Sequence, residues 1–342
     1  MMDSIFLDTF NGTETSRPPV WFMRQAGRIL PSYQKLKLKY TFSDLMKNKK
    51  LASEVTLLPI NDLGVDAAIL FSDILVIPES LGLKLEFTDK GPKFHNPLNV
   101  TSNDERFNFD PKKLEFVYSN IKETKRNIPL NIPLIGFCGG PLTTFLFMFR
   151  GNENDRSFDS AIKYFYANKK ESLKIMDFIT EASIDYLDNQ VKSGIDCFQL
   201  FETYCGIIPS DLYIKDIMPY SKKILEKSKE LNQPTIFFPK NFNEGLKVIN
   251  KDICDFVSID SNISLDYARK IVENNVGLQG NMDLKFFYLS YDEIDEYLNS
   301  LVNFGSKNHN WIFNLGRGFS PDIDHRKVKY VVDQVKNMDW KR

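Results

Sequence analysis

The fold class that the sequence predicts is a single (β/α)8 barrel, and three observations predict it. Eight short apolar runs rich in β-branched and aromatic residues recur along the 342 residues. None alternates strictly with polar residues, so each reads as a strand buried on both faces of a parallel sheet. Amphipathic helical stretches lie between them, and no GxGxxG turn follows the first run, as an open dinucleotide-binding sheet would require.

In chain order, strands are expected at 19–23 (PVWFM), 67–72 (AAILFS), 133–138 (PLIGFC) and 196–201 (DCFQLF). Four more follow at 234–239 (PTIFFP), 255–259 (DFVSI), 276–280 (VGLQG) and 310–315 (NWIFNL). Helical spacing of apolar residues is expected at 51–63, 160–191, 219–231, 242–249, 264–273, 291–304 and 324–336. Residues 83–98 read as an inserted hairpin turning around Asp89–Gly91, which puts His95 on the surface. One domain spans 1–342, with residues 1–17 as an N-terminal extension.

Composition removes several function classes. Lysine and arginine number 44 against 45 acidic residues, a net charge of −1 that argues against a nucleic-acid surface. Cys138, Cys197, Cys205 and Cys254 form no CxxC pair and read as reduced thiols. None of His95, His309 and His325 falls within five residues of a cysteine, so no zinc cluster is expected. No apolar stretch is long enough to span a membrane. The acidic N-terminus lacks the marks of a signal or transit peptide, which makes the cytoplasm the expected compartment; a plastid-type organelle is the alternative if a presequence was removed.

In a βα barrel the chemistry lies on the loops that follow the strands. Those loops carry Arg24-Gln25-Ala26-Gly27-Arg28, Ser72-Asp73, the run Gly139 to Thr143, and Glu202-Thr203-Tyr204. Further round are Lys240, Asp260, Gln279-Gly280-Asn281 and Gly316-Arg317-Gly318. Lysine greatly outnumbers arginine in this chain, so three arginines at one rim weigh heavily. Arginine offers a fixed, bidentate fork for carboxylates or phosphates. No histidine falls at a strand end, so neither a Ser-His-Asp nor a Cys-His set is available.

The acids have two readings each. Asp73 could pair with Glu202 or Asp260 as catalytic carboxylates, or those two could cap helices and hold cations. Asp73, followed by apolar Ile74-Leu75-Val76, is the best functional candidate. Lys240, beside Phe237 and Phe238, suits either a Schiff-base amine or an ion pair with Asp260. The glycine-flanked Arg317 suits phosphate as well as carboxylate. The residues by themselves describe a barrel enzyme for a polyanionic small molecule.

Pro19 to Arg28 (PVWFMRQAGR) resembles the N-terminal signature of the uroporphyrinogen decarboxylase family. Phe71 to Leu75, Gly136 to Thr143, Gln199 to Glu202, Leu278 to Asp283 and Asn314 to Gly316 also match, in order and spacing, from about residue 18 to 335. The resemblance implies a cofactor-free (β/α)8 homodimer that removes carboxyl groups from the four acetate side chains of uroporphyrinogen III. The product is coproporphyrinogen III, in haem and other tetrapyrrole synthesis.

The resemblance further implies roles by position. Asp73 would bind the inward pyrrole N–H groups and stabilise the ring when it is protonated. Arg24 and Arg28 would grip propionate and acetate groups, with Arg24 also a candidate proton source or partner of the departing CO2. Gln25, Ala26 and Gly27 share their loop, with Ala26 offering its backbone N–H. Phe71 and Phe201 would wall the macrocycle, Thr203 replaces the family's binding serine, and Lys37 matches a further basic contact. Two positions depart from the pattern: Phe147 stands for an active-site tyrosine and Arg317 for a histidine. Arginine binds a carboxylate but cannot shuttle a proton near neutral pH.

Two alternatives follow from these departures and from the fold. One is a porphyrinogen-binding homologue with weak or lost catalysis. The other is a methyltransferase of the same superfamily, which would need a thiolate-binding zinc. At strand five the sequence has Phe237-Phe238-Pro239-Lys240, without His-x-Cys ligands.

Overall fold

A computed structural model describes residues 4–88, 91–99, 107–150 and 157–342. Strand β1 (Ala68–Ile69) is followed by β2 (Leu85–Thr88) and β3 (Gly91–Phe94), then by β4 (Leu134–Gly139) and β5 (Cys197–Glu202). The chain continues through β6 (Thr235–Pro239), β7 (Phe256–Ser258), β8 (Gly277–Gln279) and β9 (Trp311–Ile312). β1 and β4 to β9 form one parallel sheet in chain order, with helices between successive strands. β4, β6, β7 and β8 are buried along their whole length, which is why their sequences lack polar alternation.

The first expected strand, at 19–23, is a single bridge between Val20 and Phe313 rather than a ladder. Phe313 N donates to Pro19 O at 2.9 Å, and on the other side Asp66 N donates to Val20 O at 2.8 Å. The segment therefore joins β9 to the chain entering β1 and closes the ring. A carboxylate has replaced one of its backbone partners. Val20 N donates to Asp66 Oδ2 at 2.8 Å, and Arg17 holds the same carboxylate at 2.6 Å. β1 is likewise shorter than 67–72, because Phe71 N turns to the Thr56 hydroxyl at 3.0 Å.

The interior of the barrel is filled, not hollow. Trp21 Nε1 donates to Gln279 Oε1 at 3.0 Å, and Gln279 Nε2 donates to Ser258 Oγ at 3.0 Å. Gly136 has no Cβ because one would lie 2.5 Å from Gln190 Oε1. That amide clasps both the N–H and the C=O of Phe137 at 3.1 Å, tying the helix Lys169–Ser193 to β4.

The helical expectations need several corrections. The stretch 160–191 is two helices, Asp159–Ala167 and Lys169–Ser193, broken at Asn168. The stretch 291–304 is also two, Tyr291–Ser300 and Val302–Lys307. Residues 242–249 form a 3-10 turn, Asn243–Val248, where Gly245 is pressed against the Phe242 ring. A helix at Glu115–Asn127 was not expected, because Asn120 and Thr124 share its buried face and blur the apolar period. Asn120 is there to donate to Met46 O at 2.7 Å.

The inserted hairpin is present as β2 and β3, in antiparallel register from Leu85–Phe94 to Thr88–Gly91; Asp89 and Lys90 lie outside the described residues. His95 is exposed and pairs with Glu86 at 2.7 Å. Phe87 of the hairpin packs on Phe42 (4.7 Å between centroids), which in turn packs on Phe71 (5.4 Å). The insertion is thus fastened beside a residue at the barrel mouth.

Candidate active site

The loop after the first segment is built so that its arginines face outward. Gln25 is fully buried: its Oε1 accepts from Phe22 N at 3.0 Å and its Nε2 donates to Ala67 O at 2.9 Å. With the amide spent on the backbone, Gln25 holds the loop rather than offering its side chain to a ligand. Arg24, next to it, has a left-handed backbone (φ 61°) and an exposed side chain. Ala26 and Gly27 are half-buried and Arg28 is exposed.

Asp73 follows β1 and is half-buried. Its Oδ1 accepts from Leu75 N at 2.9 Å. Burial pushes its carboxyl up to about 6, against the opposing pull of the Leu75 amide and the Arg24 cation. Asp73 and Arg24 are therefore brought together, as expected from their places at adjacent strand ends. Phe71, two residues before Asp73, packs against Tyr33, with ring centroids 5.9 Å apart.

The other acids at the rim are occupied. Glu202 is fully buried and accepts from Leu142 N (3.2 Å), Thr143 N (2.7 Å), the Thr143 hydroxyl and Tyr213 OH (3.3 Å). It seals the first turn of the helix Pro141–Met148, and burial pushes its carboxyl up to about 7. Gly140 must be glycine, since a Cβ would lie 2.5 Å from that carboxylate. Asp260 accepts from Asn241 N at 2.6 Å and Asn262 N at 2.9 Å, so it pins two loops. Of the three acids, Asp73 alone sits half-open with one backbone donor.

The walls are aromatic. Phe201 meets Phe137 and Phe238 edge-on at 5.7 and 6.1 Å. Phe147 meets Phe158 at 5.2 Å and Tyr204 at 5.8 Å. Thr203, between Glu202 and Tyr204, is half-buried. Tyr204 was not singled out from the sequence, although it sits at a strand end and brings a phenol beside Phe147. Tyr33 and Phe42 were also missed, because they lie on helices where a filter on strand ends does not look.

The strand-eight loop is wedged between two others. A Cβ on Gly316 would lie 2.3 Å from Ser261 N, and one on Gly318 would lie 2.6 Å from Arg24 Cδ. Arg317, between them, is exposed. Arg24, Arg28 and Arg317 have no ion pair or side-chain hydrogen bond among the described residues. The others with described side chains are engaged: Arg17 with Asp66, Arg126 with Glu123, Arg326 with Asp324, and Arg269 and Arg342 with carbonyls. Arg150 lies over the Phe147 ring. Lys37 ends the helix Pro31–Lys37 and is exposed. Among the described residues no three His, Cys, Asp or Glu side chains converge to hold a metal ion.

Comparison with known proteins gives a family and a fold. The family model described as "Uroporphyrinogen decarboxylase (URO-D)" matches residues 1–338. A uroporphyrinogen decarboxylase of Francisella tularensis subsp. novicida is 35% identical over 343 residues, covering 98% of this chain and 99% of that protein. That of Geobacter metallireducens is 34% identical over 342 residues, covering 99% and 100%. Among solved structures, a methyltransferase from Methanosarcina mazei superposes with a TM-score of 0.75 at 17% identity, covering 98% of each chain. A B12-independent methionine synthase from Shewanella sp. W3-18-1 gives 0.58 at 12% identity, covering 87% of this chain and 90% of that one. At such identities the two structures speak for the barrel fold alone.

Proposed function

Since the chain belongs to the uroporphyrinogen decarboxylase family, we propose that it is a carboxy-lyase converting uroporphyrinogen III to coproporphyrinogen III. The observation that carries the reading is one of charge. Arg24, Arg28 and Arg317 are exposed on the loops after the strands and form no ion pair among the described residues, and beside Arg24 stands the half-buried Asp73, whose carboxyl burial raises to about 6. An octacarboxylate macrocycle supplies both halves of what this site lacks: anions for the arginines and pyrrole N–H donors for Asp73.

The chemistry then runs as follows. A proton adds to a pyrrole ring carbon, and the ring becomes the electron sink. The bond between the acetate methylene and its carboxyl carbon breaks, CO2 leaves, and the electron pair neutralises the ring. A second proton converts the exocyclic methylene to methyl as the first is lost. Asp73 faces the cationic ring and lowers its energy in a partly dry site. Arg24 orients the leaving carboxylate and Arg28 grips another; both remain charged throughout. Ala26 and Gly27 present backbone to the substrate, Gln25 sets the loop, Phe71, Phe147 and Phe201 wall the macrocycle, and Thr203 offers a hydroxyl. Lys37 is a peripheral basic contact. A homodimer in the cytoplasm completes the reading.

A second reading, binding with weak turnover, is favoured by Phe147 and Arg317, which supply neither a phenol nor a titratable imidazole. One assay separates them. Purified protein is incubated anaerobically with uroporphyrinogen III, and the hepta- to tetracarboxylate products are followed. Accumulating coproporphyrinogen supports the decarboxylase; tight binding without CO2 release supports the second reading.

A further inference from the structure

We propose that Lys240 is a further substrate-binding residue, which with Arg24 and Arg317 forms a three-cation subsite for one substrate carboxylate; this rests on the decarboxylase reading.

Lys240 directly follows β6, and its backbone is fixed from both sides. Its N–H donates to Glu202 O at 3.1 Å, and its C=O accepts from Gly206 N at 3.1 Å. The next amide, Asn241 N, is held by Asp260 at 2.6 Å. The Gly316-Arg317-Gly318 loop packs on Asp260–Ser261 at one end and on Arg24 at the other. This places the loops carrying Lys240, Asp260, Arg317 and Arg24 around one sector of the barrel mouth. Asn281, in the loop after β8, is neutral and donates to Asp260 O at 2.9 Å.

Asp260 is the carboxylate that acts on Lys240, and it already accepts two backbone N–H groups. Asp73 acts on Arg24 and Asp322 on Arg317, but none of the three cations forms an ion pair among the described residues. Lys240 is half-buried and forms no salt bridge among the described residues. Burial and the Arg317 and Arg24 cations depress its ammonium, while Asp260 opposes them. A ligand carboxylate between the three would relieve this repulsion, the more so because the ammonium is partly desolvated. A lysine here acts as a point charge that accepts varied carboxylate orientations, next to the stiffer arginine forks. The ligand class is a carboxylate on a flexible arm, the propionate or acetate of a porphyrinogen.

The test uses the full-length protein and two variants, Lys240→Gln and Lys240→Arg. With uroporphyrinogen III under anaerobic conditions, Lys240→Gln is expected to raise KM about tenfold with kcat within about twofold, the signature of lost uniform binding. Its KM should also depend less steeply on salt, and Lys240→Arg should restore KM to within about threefold. Binding of the oxidised octacarboxylate, uroporphyrin III, is titrated in parallel by fluorescence and should weaken by a similar factor. A wild-type KM, salt slope and uroporphyrin affinity in Lys240→Gln overturns the subsite. So does a loss of Tm and kcat at unchanged KM, which would make Lys240 structural. If the parent protein releases no CO2, the decarboxylase reading fails, and the uroporphyrin titration still decides the subsite.

Discussion

The side chain of Arg24 lies across the backbone of Gly318, so close that a Cβ at 318 would come within 2.6 Å of Arg24 Cδ and 3.2 Å of its Cβ. The two residues are almost the length of the chain apart, and the contact aligns the first loop with the last. Gly318→Ala should therefore push Arg24 out of position without harming the core. We expect kcat/KM to fall by about tenfold to a hundredfold, as small displacements in active sites do, with Tm nearly unchanged. Steady-state kinetics alongside thermal unfolding checks this. Wild-type kinetics would remove Arg24 from the reaction.

Asp73→Asn keeps the shape and removes the charge. Turnover should fall by at least about a hundredfold, because the cationic ring loses the carboxylate that faces it. Tm should be unchanged or higher, since the carboxylate is held in a half-buried site against its solvation. In the parent, kcat/KM should decline as pH falls through about 6, where Asp73 gains its proton. Normal turnover by Asp73→Asn would end the assignment.

Stability should also carry the mark of two raised carboxyls. Glu202 is lifted from 4.5 to about 7 and Asp73 from 3.8 to about 6, both mainly by burial. A folded-state pKa above the unfolded value means that the native state binds protons more tightly. Its contribution to stability is greatest below the unfolded pKa and declines as pH rises through the folded one. Tm should thus drop between about pH 5 and about pH 8, and the drop should shrink in Glu202→Gln whatever that variant's absolute Tm. Differential scanning fluorimetry across this range would show it. Equal slopes in the two proteins would mean that Glu202 is not the group responsible.

Arg317 contributes a fixed charge at the position that the resemblance aligns with a histidine. Arg317→His should weaken substrate binding and flatten its salt dependence, since one permanent cation is lost from a wet rim. It should speed release of the tetracarboxylate product. It should also add an inflection near the histidine pKa of about 6.5 to the kinetic profile. Identical salt, pH and release behaviour in both proteins would place residue 317 outside the substrate's reach.

The eight apolar runs, the helices between them and the loops bearing Arg24, Asp73, Thr203 and Arg317 were all determined by the sequence. Their signals are local: strand burial leaves its mark in the missing polar alternation, and strand ends follow from it. The ten residues from Pro19 to Arg28 sufficed to indicate the family. What the sequence left open was decided by partners far along the chain. Glu202 is a helix cap because Thr143, fifty-nine positions away, donates to it, whereas Asp73 stays open. Residues 19–23 form a bridge rather than a strand because the Asp66 carboxylate, paired with Arg17, takes the Val20 amide. Gln25 turns inward to Ala67, and Lys240 comes among the arginines only when the barrel closes. Charge state and hydrogen-bond satisfaction depend on groups brought together in space, and only the tertiary structure brings them.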